Sequence, residues 1–270
     1  MNGYRTITRR LDDQLDRLII LSDLHAHLPA LTAFTECCAK LKGRSQVLFN
    51  GDLFFGGPNP AEAARWLMAT AGALATLGNH DEGMLKGAQG EHPPYTEEGA
   101  FVRLNSEQRD YFRALPRRLI LQWRGKKIVL VHGHADPTTG EEVSWQALPD
   151  EQIARFLDPS ADLCATGHTH YAYVRQVGRT TFANSGSPSL PILAVLDKTG
   201  LRPQSGKKEL GADDDPRSTF LEVTESAGRL NVEIVRFDYD RAAAARALED
   251  LNHPRVSVIR RWLADGILEV

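Results

Sequence analysis

The sequence predicts an α/β fold, and two observations carry that prediction. Three apolar segments, which begin at Ile19, Gln46 and Ala73, each end in a polar turn, and stretches with helical spacing separate them. This alternation is typical of parallel strands joined by helices. A chain of 270 residues is also long enough for one domain with a substantial core. Since no linker or internal repeat divides it, we expect a single domain over residues 1–270.

The first of these strands organises the chain. The apolar run from Ile19 opens directly onto Asp23 and His25, as expected of a buried strand whose sheet is covered on both faces. Residues i and i+2 of a strand point to the same side, so we expect this carboxylate and this imidazole to converge. They would then lie beyond the carboxyl end of the strand, where open α/β sheets bind their ligands.

The remaining elements follow from apolar periodicity, caps and turns. We predict helices over 28–41, 61–71, 107–115, 149–157, 241–251 and 256–265, and strands over 46–49, 73–77, 118–123, 126–131, 163–165, 172–177, 180–183, 218–224 and 230–237. Ser106 is the predicted cap of the third helix. Two stretches with several Gly and Pro residues interrupt this pattern. We expect 83–99 to be a loop over the site and 197–216 to be an exposed insertion.

Charge, cysteine usage and the N-terminal stretch limit the class of protein and its compartment. A net charge of -3 argues against broad electrostatic binding of nucleic acid. Neighbouring Cys37 and Cys38 lie in a helix-like stretch and face different ways, so a structural disulfide is not expected. The N-terminal stretch is charged and lacks the apolar core of a signal peptide, and no apolar run approaches membrane-spanning length. We therefore expect a cytoplasmic protein with no membrane partner.

Metal-ligating side chains follow five separate strand ends. They are Asp23 with His25, Asp52, Asn79 with His80, His132, and His168 with His170. Burying so many carboxylate, amide and imidazole groups would be costly without a cation or hydrogen-bond partners. Mixed oxygen and nitrogen donors without thiolate suit divalent ions such as Mn²⁺, Fe²⁺, Ni²⁺ or Zn²⁺. The set exceeds the need of one four-coordinate zinc and suits two ions that share a carboxylate.

The order of these motifs resembles the signature of the calcineurin-like metallophosphoesterases. The matching segments are Asp-Leu-His at 23–25, Gly-Asp at 51–52, Gly-Asn-His-Asp at 78–81, Val-His-Gly at 131–133 and Gly-His-Thr-His at 167–170. Segments between these motifs resemble the small prokaryotic phosphodiesterase branch, among them Gly-Gly-Pro-Asn-Pro at 56–60 and Asn-Ser-Gly-Ser at 184–187. One such motif alone is weak, but five in order are highly specific.

The resemblance implies a two-sheet αββα sandwich that carries a dinuclear metal centre. One metal would be held by Asp23, His25, Asp52 and His170, and the second by Asp52, Asn79, His132 and His168. Asp52 would bridge the two ions, and His80 would face the substrate phosphate without binding metal. Mn²⁺ is the preferred metal, with Fe, Ni, Co and Zn as alternatives.

The resemblance also implies a phosphoester hydrolase, and we expect a phosphodiesterase acting on a small phosphoester or nucleotide. In the predicted reaction a hydroxide shared by two cations attacks phosphorus in line, and His80 stabilises the developing charge or protonates the departing oxygen. The sequence departs from the protein-phosphatase branch, because Phe55 and Gly56 stand where that branch carries an Asp that pairs with the catalytic His and an Arg that grips phosphate. His80 therefore needs another partner, for which Asp81 is a weak candidate.

Two alternative functions remain open on the sequence. The same metal pair would serve a dinucleoside polyphosphate hydrolase or a nuclease, for which Arg103, Arg109, Arg113, Arg117 and Arg118 could form a basic rim. A non-catalytic scaffold is less favoured, because all seven ligand positions and His80 carry competent residues. The sequence does not predict the oligomeric state.

Overall fold

A computed structural model describes residues 5–70, 74–136, 141, 143, 148–192, 194–197, 200–203, 215–254 and 256–269. Its strands are β1 (Thr6–Arg10), β2 (Arg17–Leu21), β3 (Ser45–Asn50), β4 (Ala75–Thr76), β5 (Arg118–Trp123), β6 (Lys126–Val131), β7 (Leu163–Thr166), β8 (Ala172–Val177), β9 (Thr180–Ser185), β10 (Ala194–Asp197), β11 (Gly200–Pro203), β12 (Ser218–Ser226), β13 (Arg229–Phe237) and β14 (Ile267–Glu269). Its helices are α1 (Leu28–Ala39), α2 (Pro60–Thr70), α3 (Asn79–Leu85), α4 (Glu97–Arg103), α5 (Ser106–Ala114), α6 (Asp150–Phe156), α7 (Arg241–Glu249) and α8 (Val256–Asp265).

Two large sheets pack face to face and helices cover their outer faces, which confirms the predicted two-sheet sandwich. One sheet has the strand order β13-β12-β2-β3-β4 and the other β1-β5-β6-β7-β9-β8. Apolar side chains of both sheets form one buried cluster between them, while α1, α2 and α5 pack on the first sheet and α6 on the second. Strands β10, β11 and β14 form a further small sheet.

Strand β2 shows how the sequence builds these layers. Its side chains alternate between the two faces of the sheet, as the period of a strand requires. Leu18 and Ile20 belong to the cluster between the sheets, whereas Ile19 and Leu21 pack toward the covering helices. All four are fully buried, which explains why this strand is apolar without interruption.

The parallel strands of each sheet end at the same side of the sandwich. Strands β2, β3 and β4 run parallel in the first sheet, and β6, β7 and β9 run parallel in the second. The segments that directly follow β2, β3, β4, β6 and β7 carry all the predicted metal-ligating residues, each within four residues of the strand end. Topology alone therefore brings five distant motifs to one edge.

Several local expectations need correction. The 83–99 segment is not a loop throughout, because α3 ends within it and α4 begins within it. The cap of α5 is Asn105 and not Ser106, since the Asn105 side chain accepts from the Gln108 backbone N–H while the Gln108 side chain accepts from the Asn105 N–H. Strand β1 was not predicted, because it is a mostly exposed edge strand without an alternating apolar pattern.

The predicted insertion at 197–216 is described only in part. Residue Asp197 ends β10 and Gly200–Pro203 forms β11, with which β10 pairs antiparallel. Positions 198–199 and 204–214 lie outside the described residues. Among the residues that are described, no helix is long and apolar enough to cross a membrane.

Candidate metal centre

Five of the predicted site residues have left-handed backbone conformations. The φ angles are 55° at Asp23, 51° at His25, 57° at Asp52, 73° at His168 and 63° at His170. Non-glycine residues rarely adopt this region, and such strain gathers at functional sites where surrounding contacts hold it. Tight turns, rather than extended strands, thus present these side chains.

The convergence of Asp23 and His25 was predicted correctly but for the wrong reason. Strand β2 ends at Leu21, so strand alternation does not apply to these two residues. Backbone hydrogen bonds to the neighbouring turn hold them instead: Asp23 N donates to Gly51 O at 2.9 Å and His25 N to Asp52 O at 3.2 Å. The turn after β2 is therefore positioned by the turn after β3.

A first donor group consists of Asp23, His25 and His170. One ligand atom from each residue lies within 4.8 Å of the others, and all three residues are buried. The Nε2 atoms of His25 and His170 are 3.0 Å apart, and the Nε2 atom of His170 lies 3.5 Å from Asp23 Oδ1. Asp23 and His25 follow a strand of the first sheet and His170 follows a strand of the second, so this group combines residues from both sheets.

Hydrogen bonds to carbonyl oxygens fix which nitrogen of these two imidazoles carries the proton when the ring is neutral. His25 Nδ1 lies 2.9 Å from Phe55 O, and His170 Nδ1 lies 2.7 Å from Leu190 O. A carbonyl oxygen only accepts, so each Nδ1 carries the proton and each neutral ring leaves Nε2 as an acceptor. Burial, with His170 nearby, lowers the pKa of His25 well below its usual value, which disfavours a proton there. Two such acceptors in contact fit a cation between them.

A second donor group consists of Asp52, His132 and His168, whose ligand atoms again lie within 4.8 Å of one another. His132 Nδ1 lies 2.8 Å from Asn50 O, which turns Nε2 toward Asp52 Oδ2 at 3.2 Å. That Nε2 atom is buried and makes no hydrogen bond to any residue that the structure describes. The Asn79 side-chain oxygen lies 3.0 Å from His168 Nδ1, so the amide joins this group.

The two groups are adjacent and electrostatically linked through His132. Its Nε2 atom also lies 3.8 Å from Asp23 Oδ1. Burial lowers the pKa of His132, but the Asp52 and Asp23 carboxylates outweigh burial and raise it to about 10. In the protein alone, His132 and Asp52 thus form a buried charged pair. A bound cation would take the place of the proton on Nε2, as is usual for imidazole ligands.

The predicted substrate-facing residue, His80, is paired with Glu97. His80 Nδ1 lies 2.8 Å from Glu97 Oε1, and the ring stacks on Phe55 with centroids 4.3 Å apart. Burial lowers the pKa of His80, but the hydrogen bond to Glu97 and the charge of Asp52 outweigh burial and raise it. Glu97 thus orients His80 and favours its imidazolium form.

The prediction of Asp81 as the partner of His80 is wrong. The Asp81 carboxylate is fully buried and accepts from the backbone N–H groups of Asp52, Leu53 and Gly78 at 2.9, 2.9 and 3.0 Å. Burial and the nearby Asp52 raise its pKa to about 7. Its position indicates that it holds the turn that carries Asp52.

Sequence reasoning missed Glu97 because it lies in the segment expected to be a loop. A usable signal was present, since Thr96 followed by two glutamates is typical of a helix start. In the structure the Thr96 hydroxyl accepts from Gly99 N at 2.9 Å and caps α4. The first residue of that helix is Glu97.

Two glycines permit the close approach of the turns. A side chain on Gly51 would place a Cβ atom 2.7 Å from His132 Nδ1, and Gly51 itself has a φ of 85°. A Cβ atom on Gly78 would collide with the Asp52 carboxylate and with the Asp52 backbone nitrogen. Larger residues at these positions would push the candidate ligands apart.

Asn50 was also missed as a structural residue of the site. Its side-chain nitrogen donates to Val131 O and Ala165 O, both at 3.1 Å, and its side-chain oxygen accepts from the Thr76 hydroxyl at 2.7 Å. These partners lie in both large sheets, so one buried amide fixes the spacing of the two sheets next to the turns that carry the candidate ligands.

Comparison with known proteins agrees with this geometry. The model of the calcineurin-like phosphoesterase superfamily domain matches residues 17–198 of the chain. The chain belongs to this superfamily. A comparison of its sequence with curated proteins finds no match.

Solved structures share the fold of this calcineurin-like phosphoesterase. A metallophosphoesterase from Sphaerobacter thermophilus is 21% identical, with a TM-score of 0.68, and the match covers 93% of this chain and 99% of the other. A hypothetical protein from Pyrococcus horikoshii OT3 is 19% identical with a TM-score of 0.66, over 90% of this chain and 97% of the other. At these sequence identities the likeness shows a shared fold and no more.

Proposed function

We propose that this calcineurin-like phosphoesterase is a dinuclear-metal-dependent phosphodiesterase. The observation that carries the proposal is the pair of adjacent donor groups, each built from a carboxylate and two imidazoles. One ion would be held by Asp23, His25, Asp52 and His170, and the other by Asp52, Asn79, His132 and His168. Two divalent ions, with Mn²⁺ preferred for this mixed donor set, would activate water and offset charge on the phosphoryl oxygens.

His80 would act on the substrate through Nε2, the ring nitrogen that does not face Glu97. Glu97 occupies Nδ1, so Nε2 is the nitrogen left for the substrate, and the raised pKa of His80 favours a proton on it. Such an imidazolium would donate to a phosphoryl oxygen or to the departing oxygen, a contribution typically of ~10²–10⁴-fold. Phe55, stacked on the ring, fixes its plane.

The surroundings of the site favour a diester over a monoester. A cavity of about 350 Å³ adjoins His25, His80 and His170, and among the described residues no Lys or Arg side chain lines it. Beyond the two ions and His80, a monoester dianion would find no cationic side chain among the described residues of this cavity. A diester carries one negative charge and two organic groups, which suits this less cationic and largely apolar surface.

A nuclease or a dinucleoside polyphosphate hydrolase finds less support. Arg117 pairs with Glu82, Arg113 with Asp110, and Arg109 lies over the Phe101 ring at 4.2 Å, so these guanidinium groups of the expected basic rim already have partners. None of them lines the cavity beside the candidate ligands. A polyphosphate chain needs several cationic contacts beyond the two ions, and the described lining of this cavity offers no Lys or Arg.

A hydrolysis screen tests the proposal. The purified protein is loaded with Mn²⁺, Fe²⁺, Co²⁺, Ni²⁺ or Zn²⁺ and offered bis(p-nitrophenyl) phosphate, p-nitrophenyl phosphate, diadenosine tetraphosphate and single-stranded DNA. We expect metal-dependent hydrolysis with a higher kcat/KM for the diester. Equal turnover of the monoester would contradict the diester preference, and a metal-loaded protein inert toward all four would support the scaffold alternative.

A further inference from the structure

Helix α8 forms one wall of the cavity beside the candidate metal centre. We call it the α8 pocket, lined on its apolar sides by Phe55, Tyr95, Leu190, Ile192, Val258 and Trp262. Helix α8 lies beyond residues 17–198, which match the superfamily model. The pocket is thus closed by an element outside the part of the chain that carries the metal-ligating motifs.

Side-chain contacts hold α8 against the site. Trp262 Nε1 donates to Pro191 O at 2.9 Å, and its ring stacks on His170 with centroids 5.7 Å apart and an interplanar angle of 26°. The next residue, Leu263, is buried in one cluster with Ala244 and Ala245 of α7. The wall of the α8 pocket is therefore anchored on one side to a candidate metal ligand and on the other to the core.

The pocket is suited to a flat, uncharged group. Aromatic rings line it on several sides: Phe55 lies next to His80, and Tyr95 and His253 form a ring pair with centroids 4.0 Å apart. No Asp, Glu, Lys or Arg among the described residues lines it. Its volume of about 350 Å³ is at the lower end for small-molecule sites and holds a ring system rather than a polymer.

A buried polar side chain in the pocket is unsatisfied by the described part of the chain. His27 is 1% exposed and lines the pocket, yet neither of its ring nitrogens makes a hydrogen bond to a described residue. Leaving a buried polar group unsatisfied destabilises the protein, because the group has lost its water without gaining a partner. A polar atom on the edge of a bound ring would satisfy one of these nitrogens.

We propose that the α8 pocket binds one ester substituent of the phosphodiester, and that this substituent is an uncharged aromatic or heteroaromatic ring with a polar atom that pairs with His27. This inference rests on the proposed function of the metal centre and adds the chemical class of the substrate. The phosphoryl group would lie at the candidate ligands while the ring fills the space between Phe55 and α8. Trp262 and Val258 would then decide which substituents fit.

Calorimetry with phosphonates tests the pocket. Phenylphosphonate and methylphosphonate share the anionic group that would contact the metals and differ only in the substituent. With Mn²⁺-loaded protein we expect phenylphosphonate to bind about 10- to 100-fold more tightly, because the phenyl ring leaves water for an apolar pocket. Equal affinities of the two compounds would overturn the proposal.

A matched pair of variants on α8 shows where the preference arises. Val258 lines the pocket, whereas its neighbour Ser257 is exposed and does not. Val258→Asp should abolish the phenyl preference and leave methylphosphonate binding within about twofold, while Ser257→Asp introduces the same charge and should change neither. Thermal melting checks the fold, and if Val258→Asp is unfolded, the near-isosteric Val258→Thr should still reduce the preference severalfold. A full preference in a folded Val258 variant would contradict the proposal.

A readout without metal separates this inference from the proposed function. Phenol, which carries no phosphoryl group, should quench Trp262 fluorescence in the chelated protein, and Trp262→Phe should lose that signal. If no diester is hydrolysed but the phenyl preference and the quenching persist, the proposed function fails and the pocket stands. If diesters are hydrolysed while phenyl and methyl phosphonates bind equally, the pocket assignment alone fails.

Discussion

At the scale of single residues, Glu97 is the carboxylate partner of His80, whereas the protein-phosphatase branch uses a different residue for this pairing. There the partner is an Asp of the Gly-Asp motif segment, and in this chain that position holds Phe55. Phe55 stacks on the imidazole of His80, while the carboxylate of Glu97, 17 residues after His80, holds Nδ1. Orientation and charge of one imidazole are thus supplied by two different residues.

Glu97→Gln should slow the reaction without removing the metals. The amide keeps the size of the side chain but not its negative charge, so His80 loses part of what favours its imidazolium form. We expect kcat to fall about tenfold, which is part of the range typical of an acid–base residue, with KM little changed. Glu98→Gln, an exposed neighbour on the same helix, is the control and should match the parent. A parental kcat in Glu97→Gln would contradict this assignment.

Asp52→Asn should disturb both ions, because Asp52 is the carboxylate that both donor groups would share. Changes to residues that only support a ligand cost 10–100-fold in metal affinity, so loss of a direct bridging charge should cost at least about 100-fold. The check is metal content after dialysis, measured by plasma emission spectroscopy, together with hydrolysis of a diester. Asp110→Asn, at an exposed position, should retain both ions. Two tightly held ions in Asp52→Asn would exclude the bridge.

The sequence was informative about the candidate ligands and uninformative about the residues that hold them in place. Residues such as Asp52 and His132 follow strand ends in a recognisable order, and the structure brings them together. Glu97, Asn50 and the bracing function of Asp81 depend on contacts between segments far apart in the chain. Local spacing contains no information about such contacts, so these three assignments follow only from the three-dimensional structure.

At the scale of elements, the side-chain amide of Asn50 links the carboxyl ends of the two sheets. Asn50→Ala would leave two buried carbonyl oxygens and the Thr76 hydroxyl without their partner. Since an unsatisfied buried group costs about 1–3 kcal/mol, we expect the free energy of unfolding to fall by about 2–4 kcal/mol. Urea unfolding in the presence of a chelator measures this without a contribution from metal. Asn231→Ala, on an exposed position of β13, should change it by less than about 0.5 kcal/mol.

Elements with a clear apolar pattern were predicted to within a few residues, and elements without one were missed. The bounds of β5, β6, β8 and α8 agree with the predicted ranges, because an apolar run or an amphipathic period separates each of them from polar flanking turns. Helices α3 and α4 are seven residues long and each contains a glycine, so they present too few turns for a period to show. Their positions are set by the turns that pack against them.

At the scale of the whole molecule, metal binding should stabilise the fold. A ligand that binds only the native state adds about 2.7 kcal/mol at 100 times its Kd. For a chain of this size that corresponds to a rise in the melting temperature of about 5–10 °C. Differential scanning fluorimetry with and without Mn²⁺ measures it, and chelation should reverse the change. No shift with any of the five candidate ions would count against a metal centre of this kind.

Each candidate donor group draws on both large sheets. Asp23 and His25 follow β2 and Asp52 follows β3 in one sheet, whereas His132 and His168 follow β6 and β7 in the other. An ion held by such a group would cross-link two layers that otherwise separate only when the apolar cluster between them opens. Amide hydrogen exchange at the carboxyl ends of β3 and β6 should then slow together on metal addition, although these strands belong to different sheets. Protection of one strand end alone would mean that the layers can part while the ion stays bound.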